Sequence, residues 1–217
     1  QPFVSTIRLT GEDLAELSSE RRALLINSLP GYKPAMLVGT ASPDGDTNLA
    51  IISSHFHLGS RPPLLAMILR PDTGNSERHT LRNILDTEHW TLNGFTLAQA
   101  AKAHHTSASF PRSVSEFGAC GFRESWRPPF RAPFVESAPL AAGCLLREHQ
   151  PLPINGTHLI IGEVVHLDFL EDAQRPDGAL ALEQMSLAAV SGLDTYTAPG
   201  AGVSYPPASV DSKPQPH

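Results

Sequence analysis

Apolar residues along the chain change their spacing several times, and each change marks a structural element. Leu14, Leu17, Leu24 and Leu25 recur at helical intervals, and the spacing predicts one helix over residues 11–28. Thr10 precedes it as a cap with Asp13 three residues on, and Pro30-Gly31 ends it. Ala35 to Thr40 is then a continuous apolar run, the pattern of a buried strand. Pro43-Asp44-Gly45-Asp46 follows, and Asp-Gly accepts the positive φ of a tight turn, so Asn48 to Ser54 returns as the second strand. Leu64 to Leu69 is a third strand, entered through Pro62-Pro63.

Helical spacing resumes with Thr80, Leu81, Ile84 and Leu85, which predicts a helix from Glu77 to Leu85 capped by Ser76. Trp90 to Asn93 reads as a strand and Leu97 to His105 as a helix. Residues 107–138 show no period, and one short helix is expected there near Val114 to Phe117; an excursion of this length tends to serve a site or an interface. Ala141 to Glu148 and Leu159 to Leu167 are two more strands, with Asn155-Gly156 between them as a two-residue hairpin signal. Gly178 to Met185 predicts a short helical turn, and Ala188 to Val190 a last strand.

Hairpins outnumber strand-helix-strand crossovers in this order. The expected architecture is mainly β with helices (α+β): a closed antiparallel barrel carrying helices on its rim. Residues 1–198 form that domain. Residues 199–217, rich in proline, form a tail without a core of its own. No GxGxxG and no GxxxxGK[ST] occurs, which removes the usual dinucleotide and P-loop readings.

Composition narrows the function classes. Sixteen basic residues against 22 acidic ones give a net charge of −6, which argues against a duplex nucleic-acid partner. No apolar run approaches the roughly 20 residues of a membrane helix, and no leader pattern opens the sequence. Two cysteines, Cys120 and Cys144, without a CxxC, fit buried thiols in a reducing cytoplasm. The histidines follow no metal-ligand spacing, so no metal site is expected.

Two segments carry candidate chemistry. Asn48 to His57 runs from an apolar strand into a polar end, where Ser53, Ser54 and His55 offer groups suited to the edge of a flat heterocycle. The bland alternative is a strand that ends in polar turn residues. The second is Arg70-Pro71 followed by Arg78, His79 and Thr80 at a helix start. Free amides, the positive helix end and an arginine make an anion site, with phosphate the natural guest. A salt-bridged amphipathic helix would show the same charges, with Arg82 four residues after Arg78 and Asp86 close by.

Several stretches, taken in order, resemble the flavin reductase-like family of the FMN-binding split-barrel superfamily. They include Lys33-Pro-Ala-Met-Leu-Val-Gly-Thr40, Pro43-Asp-Gly-Asp-Thr-Asn-Leu-Ala-Ile-Ile-Ser-Ser-His55, Arg78-His-Thr-Leu-Arg-Asn-Ile84, His104-His-Thr-Ser-Ala108, Ser115-Glu-Phe117 and Ser191-Gly-Leu-Asp-Thr-Tyr196. The resemblance implies a six-stranded split barrel, a homodimer, and FMN (or FAD) near the subunit interface. It implies that Asn48, Ser53, Ser54 and His55 line the flavin ring. Arg78, His79 and Thr80 then hold the phosphate, with Arg70 nearby and His79 where many relatives carry an acid. His104 and Tyr196 become second-line residues and the candidates for a catalytic role. The activity implied is hydride transfer from NAD(P)H to flavin and on to a small-molecule acceptor or a partner monooxygenase. The alternative is a flavin- or haem-binding split barrel without turnover.

Overall fold

A computed structural model describes residues 6–72 and 78–216. Seven strands make the main sheet: β1 (Met36–Ala41), β2 (Thr47–Ile52), β3 (His55–Ser60), β4 (Pro63–Leu69), β5 (His89–Gly94), β6 (Leu140–Leu152) and β7 (Thr157–Phe169). Every ladder is antiparallel, in the order β2-β1-β5-β6-β7-β4-β3. One core cluster takes Met36 and Val38 from β1, Met67 from β4, Trp90 and Leu92 from β5, Cys144 from β6 and Ile160 from β7, with Ile52 of β2 packed against it. Strands near both ends of the sheet thus surround a single core, so the sheet is rolled. Its edges, β2 and β3, follow each other through Ser53-Ser54 but share no ladder among the described residues. The roll is split there.

Local chemistry explains the turns that work. Gly45 adopts φ +95° in the β1–β2 turn, and the Ser42 hydroxyl accepts the Asp46 amide at 3.1 Å. Gly162 lets β7 pass against Trp90, since a Cβ there would lie 2.5 Å from the indole Cζ2.

The structure corrects the expected elements in several places. The main sheet has seven strands rather than six among the described residues, because His55–Ser60 pairs with β4. Its residues are mostly solvent-facing, as an edge strand tolerates, so no alternation marked it. The single helix over 11–28 is two: α1 (Gly11–Glu16) and α2 (Ser19–Ser28). Leu17 is extended, Ser18 accepts the Arg21 amide as a new cap, and the Arg22 guanidinium donates to the Leu17 carbonyl at 2.9 Å. Neither helix buries a residue, and Leu24 and Leu29 are exposed. Helix α3 spans His79–Thr87; the expected cap Ser76, like Glu77, lies outside the described residues. The expected helix 97–105 begins as a 3₁₀ turn, Leu97–Gln99, and continues as α4 (Ala100–His105). Asn155-Gly156 is half of a four-residue turn rather than all of a hairpin loop: Gly156 donates to the Leu152 carbonyl at 2.8 Å and Pro153 has no amide to extend the ladder. The turn expected over 178–185 is a 3₁₀ turn at Leu182–Met185.

The excursion is a packed second layer. It contains α5 (Glu116–Ala119) and a short ladder between Glu124–Ser125 and Phe134–Val135. Phe117 and Phe122 enter a second core cluster with Leu37, Leu49 and Phe95, on the other face of β1 and β2. Beside it, Lys33–Pro34, Ala189–Ser191 and Thr195–Thr197 form a three-stranded sheet. Residues 198–216 contain no helix or strand and are mostly exposed.

Candidate functional site

Strand β2 organises the site. Its even positions face α3, and there Asn48 and Thr80 meet: the Asn48 amide donates to the Thr80 hydroxyl at 2.9 Å. Asn83, one turn later on α3, donates to Thr40 of β1 at 3.2 Å. All four side chains are buried, so this network clamps the helix start onto two strands. In front of it lies a shallow, open notch lined by Asp46, Thr47, Asn48, His79, Asn83 and Arg112.

Arg78 stands at the N-cap position of α3 with its side chain making no cap bond, and its amide donates to the Asp72 carboxylate at 2.6 Å. One free amide of the helix start is thereby used, and the Arg78 side chain remains exposed.

The free edge of β2 is covered by side chains from the excursion and α4. Glu116 accepts the Leu49 amide at 3.0 Å and Thr106 accepts the Ile51 amide at 2.9 Å. Thr47 bonds Ser115 and Glu124, each at 2.6 Å. Burial pushes the Glu116 carboxyl above its usual range, partly offset by the Leu49 amide, its own amide and the nearby His79.

The other end of β2 carries the remaining candidates. Asn48 and Ser53 are five positions apart, about 16 Å along a strand. Ser53 is half-buried and Ser54 exposed, its carbonyl accepting the Ile68 amide at 2.8 Å. His55 has its Nε2 shut from solvent and without a partner. Burial pulls its pKa down to about 4, although the Pro34 carbonyl favours the protonated ring. Arg70 is exposed and does not line the notch; its charge lies near Lys33, whose pKa falls through burial and then through Arg70. His104 and Tyr196 are together, Nδ1 to hydroxyl 2.9 Å, and burial followed by Asp194 raises the Tyr196 pKa.

Sequence reasoning therefore named Asn48, His79 and Thr80, which the structure joins, and placed Arg70 with them, which it does not. It missed Thr47, Asn83 and Arg112 on the notch. Arg112 is one of several arginines in an aperiodic stretch, so spacing carried no signal for it. The notch offers an anionic group the buried, unpartnered Arg112 Nη1, the His79 imidazole, the Thr47 hydroxyl and the Asn48 and Asn83 amides, against one carboxylate, Asp46. Among the described residues no group of three or more His, Cys, Asp or Glu converges as a metal site. A second hollow, lined by Leu170, Glu171, Asp172, Ala173 and Gln184, presents two carboxylates and none of these residues.

Comparison with known proteins gives the arrangement a context. A family model described as a flavin reductase like domain matches residues 32–188. A split-barrel protein of Shewanella frigidimarina NCIMB 400, assigned to the flavin reductases, is 39% identical, with a TM-score of 0.89 over 94% of this chain and 100% of that one. The nitrilotriacetate monooxygenase component B of Bacillus cereus has a TM-score of 0.80 at 19% identity, over 92% of this chain and 98% of that one. An uncharacterized protein of Deinococcus radiodurans is 31% identical over 166 residues, 74% of this chain and 72% of that one.

Proposed function

The chain belongs to the flavin reductase-like family, and from that premise we propose that it is an FMN-dependent oxidoreductase taking hydride from NAD(P)H. The fold is a split barrel, mostly antiparallel β with helices, and the family is one of flavin-related oxidoreductases. The observation that carries the reading is the clamp at the start of α3. Asn48, which lines the notch beside His79, is bonded at 2.9 Å to the buried Thr80 hydroxyl from a distant part of the chain. Donors converging at a helix start suit a terminal phosphate.

In this proposal Thr80, His79 and Arg78 hold the phosphate, with Asn48 fixing the Thr80 hydroxyl. Ser53, Ser54 and His55 face the ring some 16 Å away, at the far end of β2. Arg70 supplies positive charge near that end, beside Lys33. Bound flavin supplies the redox chemistry itself, accepting a hydride and releasing electrons to an acceptor. The chain's part is to bind, orient and keep water from the site. His104 and Tyr196, joined by a hydrogen bond, are the candidates for handling a proton.

A homodimer completes the site. The notch encloses only about 10 Å³, far below the roughly 300–1,000 Å³ of small-molecule sites. Leu24, Leu25, Ile26 and Leu29 of the α2 region stay exposed, an apolar face suited to a second copy. The final acceptor is a small molecule or a partner monooxygenase, and the setting is the cytoplasm, where Cys120 and Cys144 remain the free thiols they are here.

The test is the visible spectrum of the purified protein supplied with FMN. Flavin absorption that NADH or NADPH bleaches under argon, and air restores, is the expected result. Bound flavin that neither nicotinamide bleaches would reduce the protein to a carrier. A spectrum that FMN leaves unaltered would refute the reading.

A further inference from the structure

Arg112 is the one notch residue delivered by the excursion, and its surroundings leave it unfinished. Nη1 is buried without a hydrogen-bond partner, and Arg112 forms no ion pair among the described residues. Asp46 lines the same notch, but its carboxylate lies 3.5 Å from the Ser42 hydroxyl and forms no ion pair with Arg112. A buried guanidinium donor left unmet is costly, and an incoming anion removes that cost.

The arginine is also held in place. Its segment turns at Pro111–Val114, where Val114 donates to the Pro111 carbonyl at 2.9 Å. Ser115 bonds Thr47 at 2.6 Å, and Glu116 grips the Leu49 amide at 3.0 Å. Both anchors lie on the strand that forms the notch wall, so Arg112 is fixed relative to Asn48 and Thr80.

A second unmet atom points to the same guest. Asn83 donates its amide to Thr40, and its Oδ1 is buried without a partner. The notch therefore lacks one acceptor, for Arg112, and one donor, for Asn83. A phosphate carried on a hydroxylated chain supplies both. A guanidinium also matches the oxygens of a phosphate in pairs, which a hydroxyl terminus cannot provide.

Resting on the flavin reading above, we propose that Arg112 is the specificity residue that selects phosphorylated flavin over riboflavin, and that phosphate binding is what completes the contact between the excursion and α3.

The experiment titrates the full chain, Arg112→Gln and Arg112→Lys with FMN and with riboflavin, following flavin fluorescence. Arg112→Gln is expected to weaken FMN about ten- to hundredfold and leave riboflavin unchanged, given the usual strength of charged hydrogen bonds. Arg112→Lys should recover part of the FMN affinity. Equal weakening of both flavins would show a merely structural arginine, and unchanged FMN affinity would show no role; either overturns the proposal. If the unaltered protein binds neither flavin, the flavin reading itself falls, and inorganic phosphate decides on Arg112. A thermal shift with phosphate that Arg112→Gln abolishes would uphold its role with the anion. No shift in the unaltered protein would overturn that too.

Discussion

The two ends of β2 solve the problem of buried polar groups in opposite ways. At the Asn48 end, amides and hydroxyls from β1, β2 and α3 satisfy one another, and the unmet buried atoms, Arg112 Nη1 and Asn83 Oδ1, belong to two residues that line the notch. At the Ser53 end, hydroxyls sit half-buried or exposed, and His55 hides an unpartnered nitrogen. The first end is assembled within one chain. The second leaves Ser54 exposed, and the proposed function completes it with a second copy.

Removing the half-buried His55 imidazole tests the incomplete end most strongly. His55 shifts from 6.5 to about 4 on folding. Between those values the unfolded ring carries a proton that the folded ring does not. Stability from this group is therefore full above pH 6.5 and is lost as pH falls toward 4, a change on the order of 3 kcal/mol. His55→Phe should flatten the acid side of a melting-temperature profile. A profile that keeps its slope would place the acid sensitivity elsewhere.

At the complete end, Asn48→Ala should cost about 2 kcal/mol, because it strips the buried Thr80 hydroxyl of its donor and loosens α3. Urea titration reads this directly, and FMN affinity should fall with it. A variant as stable as the parent would mean that the clamp holds nothing.

Glu116 gives a weaker slope of opposite sign. Its pKa is raised on folding, so the folded state holds the proton longer and stability declines as pH rises through that window. Glu116→Gln keeps an acceptor for the Leu49 amide and should remove the decline, measured again by melting against pH. The smallest effect belongs to Ser54→Ala, within about 0.5 kcal/mol of the parent because the residue is exposed. A larger loss in Ser54→Ala would show that the open end is already covered in solution.

Sequence pattern reached much of this and failed for identifiable reasons. The run Ala35 to Thr40 reads as a buried strand because β1 is buried at every position. Asp44-Gly45 reads as a turn because Gly45 takes a positive φ. Thr80 and Ile84 read as one helix face because α3 buries both. By contrast, His55–Ser60 escapes because an exposed edge strand needs no alternation. The break at Leu17-Ser18 escapes because it rests on a cap and on Arg22 reaching back to carbonyls, not on apolar spacing. Asn48 and Thr80 stand out singly as candidate ligands, yet their bond to each other spans 32 residues and leaves no periodic trace. Arg112 is legible only once the excursion is folded onto β2.

The central claim is that the start of α3 seats a flavin phosphate. Isothermal titration of FMN into Arg78→Ala/Thr80→Val tests it most directly, with riboflavin as the control. The account predicts a loss of about 3 kcal/mol, more than a hundredfold, for FMN and little change for riboflavin. FMN affinity equal to that of the unaltered protein would contradict it.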